Sequence, residues 1–182
     1  MKPLTNFINN ELVWLQPEVS ERRFELRSGP ALLATLRFES DFGSLALAES
    51  TAGHWTLERQ GFLNPRVVVR QVAATVDLAT FQPDWMGSEG TLSFGDGRTF
   101  GWKSGNFWGN QRLLVDATGE TLVTYHTTLN KTRRLLDILK TEATVIVHPS
   151  ARTVADLMLL LVCGWYLKVL QEEEAVVVSA VV

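Results

Sequence analysis

The side chains able to do chemistry are few and scattered. His54, His126 and His148 stand far apart, none within four residues of another, so no local metal-ligand motif forms. The one cysteine, Cys163, lies in an uncharged apolar run. A reactive thiolate needs an electropositive, accessible setting, so Cys163 reads as an inert core thiol. A lone cysteine also excludes an intrachain disulfide and a cysteine-built zinc site. No Gly-x-Ser-x-Gly elbow occurs. Gly87-Ser88-Glu89-Gly90 and Gly95-Asp96-Gly97 are glycine-rich, but neither opens a helix, as a phosphate cradle requires. Both read as hairpin turns. Asp96 and Asp116 fall at turns, where Asp bonds nearby backbone. The sequence therefore assigns no catalytic residue, no metal and no cofactor.

Basic residues are the remaining lead. Arg66 and Arg70 fall on one face of a short β-branched run, because alternate residues of a strand share a face. Lys131, Arg133, Arg134 and Lys140 cluster around another segment, and Arg98, Lys103 and Arg112 flank two hairpins. Such cations suit a phosphorylated head group, and equally a solvated surface or a guarded sheet edge. Arg66, Arg70, Lys131, Arg133 and Arg134 are the candidate ligand-binding residues. The 105–110 stretch, GNFWGN, offers aromatics to a membrane or partner, or packs as a loop.

The elements that must position these residues are mostly strands. From Leu12 to Val147, short β-rich runs alternate with turn signals roughly every 8 to 12 residues, the cadence of an antiparallel barrel or sandwich. Asp96-Gly97 lies between two alternating segments and is the strongest hairpin cue. Val72–Phe81 reads as one long strand or two. Thr132–Lys140 reads as a strand continuing the meander, although Leu135, Leu136 and Leu139 also fit a short helix. No Gly/Ser linker or charge block divides the chain, which reads as one domain over residues 1–182.

Composition narrows the class. With 182 residues, 46% hydrophobic and 20% charged, the chain can bury a core. A net charge of −3 argues against a general nucleic-acid binder. The start, MKPLTNFINNELVWLQ, shows no apolar signal region, so a cytoplasmic protein is expected.

After the strands comes Leu157–Leu167, LMLLLVCGWYL, eleven residues without a charge. Leu, Met and Cys dominate, so the run reads as helix. It is apolar on every side, and such a helix must be wrapped by protein or sunk in lipid. Eleven residues span about 17 Å, short of a hydrocarbon core of about 30 Å. Asp156 and Lys168 bound the run, so no transmembrane span is expected. A closed barrel of about twelve strands has room for a helix of about 10 Å diameter along its axis. Leu157, Leu160, Leu161, Gly164 and Trp165 are the expected core, with Gly164 marking a close approach. The helix is expected over about 151–171, capped by Ser150 or Thr153. Acidic Glu172-Glu173-Glu174 opposes the macrodipole and should fray its end. The tail, 172–182, reads either as a mobile end or as a last strand.

In order along the chain, Trp14-Leu15, Phe24-Glu25-Leu26, Trp55-Thr56-Leu57-Glu58-Arg59, the run Leu92–Trp102 (LSFGDGRTFGW), Asp116-Ala117-Thr118-Gly119 and the closing apolar helix resemble the tubby C-terminal-like superfamily. The resemblance is to the branch holding LURP-one-related proteins and phospholipid scramblases, and it covers nearly the whole chain. It implies a twelve-stranded barrel around a central C-terminal helix, and mostly non-enzymatic members. Tubby-type domains bind phosphoinositide head groups through Lys and Arg, but none of those cations aligns here. The cysteine-rich and Pro-rich segments of scramblases are also missing from this sequence. The expected function is a non-catalytic binding or scaffold module, engaging phosphorylated or anionic lipid head groups or a protein partner. It would be cytoplasmic and peripheral at the membrane. The alternative is a scramblase-like protein with the apolar helix inserted in the bilayer.

Overall fold

A computed structural model describes residues 1–8, 10–85, 87–106, 109–127 and 141–181, with side chains up to residue 175. Twelve strands alternate with turns over this range. They are β1 (Leu12–Leu15), β2 (Arg23–Ser28), β3 (Ala31–Phe38), β4 (Ala46–Ser50), β5 (Gly53–Gln60) and β6 (Arg66–Gln71). Then come β7 (Ala79–Pro83), β8 (Gly90–Phe94), β9 (Thr99–Ser104), β10 (Gln111–Val115), β11 (Thr121–Thr127) and β12 (Glu142–Val147). Each pairs antiparallel with its neighbour in sequence, and β1 closes on β12 with Leu12 opposite Val145. The result is a closed barrel, with no sheet edge left open.

Alternation sets the barrel's two surfaces. Along β1, Leu12 and Trp14 are buried while Val13 and Leu15 are partly exposed. The Asp96-Gly97 turn joins β8 to β9 as the sequence predicts, with Gly97 at φ 91°. Val72–Phe81 differs from expectation, since only β7 from Ala79 is strand and 72–78 is a connection. Ala73 turns the chain there with φ 67°, a left-handed conformation that ends strand pairing. The Thr132–Lys140 segment lies outside the described residues.

The helix α1 (Leu157–Val181) fills the barrel. Leu157–Leu167 are buried throughout, as every side of the run faces a strand. Trp165 stacks on Trp14 with ring centroids 5.5 Å apart, and Phe24 meets it edge-on. Tyr166 stacks on Phe38. Gly164 admits Tyr125, whose hydroxyl would lie 2.3 Å from a Cβ at that position. The Tyr125 hydroxyl donates to the Leu161 carbonyl at 3.0 Å. These rings fill the space between helix and wall, with pair geometries that favour offset and edge contacts.

The helix bounds differ from the sequence reading at both ends. Pro149–Thr153 form a 3-10 turn, and the Ser150 hydroxyl donates to the Thr121 carbonyl instead of capping. Asp156, at φ 60°, turns the chain into the barrel. At the other end, helical backbone runs through Glu172–Glu174 to Val181, so the tail is neither frayed nor a strand. Lys168, Arg22 and Arg59 pair with Glu172, Glu173 and Glu174 respectively, which offsets the repulsion among three adjacent carboxylates, and the helix end lies about two turns further on.

Candidate functional site

In an antiparallel meander, successive connections alternate between the two ends of the barrel. The helix enters at the end holding the β8–β9 turn, where Arg98 bridges Asp96 and Asp156, each at 2.7 Å. It leaves at the opposite end, between the β1–β2, β3–β4, β5–β6 and β7–β8 connections. This exit end is the candidate site.

Polar groups lock the helix into the exit mouth. Arg22 donates to both carboxylate oxygens of Glu173, at 2.9 and 2.7 Å, and to the carbonyls of Ser40 and Gly43. Its guanidinium lies 3.9 Å from the Phe38 ring centroid. Tyr166 donates to the Ser44 carbonyl at 2.6 Å. Gln171 donates to the carbonyls of Gly87 and Ser88 and accepts from the Trp102 indole. Arg112 donates to the Ser88 carbonyl. Burial lowers the Lys168 and Arg112 pKa values, and nearby Glu172 opposes that shift for both.

Beside the mouth, Arg59, Pro65, Arg66, Phe81, Leu170 and Glu174 help line a cavity of about 80 Å³. A broader groove of about 790 Å³ carries Asp41, Glu172, Glu173 and Glu174 with Arg59. That groove is acidic and suits no phosphate. Arg66, at the edge of the smaller cavity, is exposed and makes no ion pair among the described residues.

The sequence candidates separate. Arg66 stands at the exit end, whereas Arg70 donates at 2.7 Å to Asp77 of the β6–β7 connection at the entry end. The shared strand face is real, but four residues put about 13 Å between them, so they do not converge on one ligand. Lys131, Arg133, Arg134 and Lys140, together with Phe107 and Trp108, lie outside the described residues. Leu157, Leu160, Leu161, Gly164 and Trp165 are core.

Several other titratable groups make local structural contacts. Thr118 and backbone N–H groups lower the Asp116 pKa, and Arg98 backbone and side-chain bonds lower that of Asp96. Burial pushes the Cys163 thiol up to about 12. His148 bonds Thr124 at 2.9 Å. Among the described residues, no group of three or more His, Cys, Asp and Glu could hold a metal ion. None of their helices is long and apolar enough to cross a membrane.

Comparison with protein-family models, curated proteins and solved structures finds no match.

One feature escaped the sequence reading. Phe42, Phe62, Leu63 and Trp85 are exposed at 102%, 97%, 94% and 92%, and all four sit on exit-end connections. A signal was present in Asp41-Phe42-Gly43, Gly61-Phe62-Leu63-Asn64-Pro65 and Asp84-Trp85, where large apolar residues sit among turn residues.

Proposed function

We propose that this chain is a non-catalytic binding module that engages the phosphorylated or anionic head groups of lipids at the exit end of the barrel. The observation carrying this reading is Arg66. It is the candidate cation that is exposed, unpaired among the described residues and placed beside the helix exit. A guanidinium in that state has donors free for a phosphate, and it loses no existing ion pair on binding. The resemblance to tubby-type domains supports the same reading, which places the chain at the periphery of a membrane on the cytoplasmic side.

The test is co-sedimentation with vesicles of phosphatidylcholine, with and without phosphatidylinositol phosphates. Anionic lipid should raise the bound fraction, and added salt should lower it. One cation near such a surface contributes about 1 kcal/mol, so Arg66→Ala should weaken binding to anionic vesicles about fivefold. Arg66 is exposed, and the variant should melt like the parent. Equal binding to neutral and anionic vesicles would refute the reading, and selective capture of a protein would replace it with the scaffold role.

A further inference from the structure

We propose that the exit end of the barrel docks onto a phospholipid bilayer by inserting Phe42, Phe62, Leu63 and Trp85. These tips would enter the interfacial layer, with α1 leaving the barrel towards the lipid. The inference rests on the head-group reading above and supplies its contact surface.

The first argument is where the exposed apolar side chains lie. Among the described residues, the large exposed apolar side chains include Val19, Phe42, Leu45, Phe62, Leu63 and Trp85 on four exit-end connections. At the entry end Val72, Val76 and Leu78 share one connection, with Met1 near the β2–β3 turn and Ile146 late in β12, and none of the five is aromatic. Among the described residues, every large apolar side chain exposed above 90% is at the exit end. Scattered apolar residues on a surface are ordinary, but gathering the most exposed ones at one end is not.

The second argument is shape and chemistry. Exposures of 92% to 102% mean that these side chains protrude and lie against nothing. They come from three separate connections and are flanked by polar or turn residues such as Asp41, Gly61, Asn64 and Asp84. A folded protein partner would need a socket for each tip, whereas a bilayer accepts separate tips at any spacing. Trp and other amphipathic rings settle at the head-group level, and Phe and Leu gain by entering the acyl boundary.

The third argument is what stands behind the tips. Arg66 begins β6 three residues after Leu63, where a phosphate layer would meet it. Beyond the paired Glu172–Glu174, helical backbone continues over 175–181 with the uncharged sequence AVVVSAV, on the same side as the tips. Apolar burial is the driving term here, because Asp41 and Asp84 stand beside the tips and attract no anionic lipid.

The experiment uses the full chain and an environment-sensitive fluorophore. Cys163 is buried and unreactive in the folded protein, so Phe62→Cys and Val76→Cys can each be labelled singly. On vesicles of phosphatidylcholine, with or without phosphatidylserine, the probe at 62 should brighten and shift to the blue, and the probe at 76 should not change. Phe62→Ser and Trp85→Ser should each lower the bound fraction about tenfold, since each removes a tip that would be buried. Both sites are surface tips, so the variants should keep the parent's melting temperature.

Bound protein whose probe at 62 stays aqueous, or whose probe at 76 responds equally, overturns the docking surface, as do Ser variants that bind like the parent. If the tips enter neutral vesicles while Arg66→Ala and anionic lipid change nothing, docking stands and the head-group reading fails. If anionic lipid and Arg66 control binding while position 62 stays aqueous, the reverse holds. No binding to any vesicle removes both.

Discussion

Gly164→Ala tests the central packing claim directly. A Cβ at 164 would lie 2.3 Å from the Tyr125 hydroxyl oxygen, 2.6 Å from Cζ and 2.8 Å from Cε2. All three are too short for contact, so the ring or the helix must move. The ring has little freedom, being fully buried, edge-on to Trp102 and bonded through its hydroxyl to the Leu161 carbonyl. Overpacking a site this tight costs about 3 kcal/mol, the upper part of its usual range. Alanine in a helix interior regains about 1 kcal/mol over glycine. The net expectation is a loss of about 2 kcal/mol, which lowers the melting temperature of a chain this size by about 4 to 8 °C. Urea titration with matched thermal melts measures both. Tyr125→Phe removes the nearest clashing atom and also one hydrogen bond. The double variant should therefore lose less than the two single losses summed, by about 1 kcal/mol. A Gly164→Ala protein as stable as the parent, or strict additivity with Tyr125→Phe, would refute the placement of Tyr125 over the glycine.

Two further predictions follow from the wrapped helix. Leu160 is fully buried, so Leu160→Asp places an unpaired charge in the barrel core and should prevent folding, read as loss of a cooperative melt and of soluble protein. High pH should weaken the fold. Burial raises the pKa of Cys163 from 9.0 to about 12, and raises Tyr125 and Tyr166 above 10.0, so each contributes stability present below its unfolded value and lost as pH rises beyond it. Lys168, lowered by burial, acts oppositely, because its burial penalty is relieved as pH approaches 10.5. Between pH 9 and 10 Cys163 and Lys168 act in opposite directions, and above about pH 10 the two tyrosines join Cys163, so the urea midpoint should fall from about pH 10, by at most about 1.4 kcal/mol per pH unit for each group. Cys163→Ala should make that fall shallower, because only the two tyrosines then act in that direction.

Much of the architecture was legible because it depends on local pattern. Asp96-Gly97 between alternating segments could hardly be anything but a hairpin turn, and turn residues at short spacing dictated a meander. The uncharged Leu157–Leu167 run, apolar on every side but short for a bilayer, pointed to enclosure by protein, and a meander of that length can enclose it. Gly164 as a point of close approach also followed, although its partner, Tyr125, did not.

What stayed hidden depends on residues far apart in sequence. The helix passes Glu172–Glu174 because Arg22 and Arg59 reach two of the carboxylates, across 151 and 115 residues. No local rule anticipates those partners, and the helix field alone pointed to fraying. Arg66 and Arg70 looked equivalent on their strand, and only the β6–β7 connection, folding Asp77 onto Arg70, left Arg66 as the free member. The sequence by itself determined that a barrel closes around its last helix, since apolar periodicity and turn chemistry are local properties. Antiparallel pairing put alternate connections at one end, and the tertiary structure left Phe42, Phe62, Leu63 and Trp85 uncovered there, at the end where the helix departs.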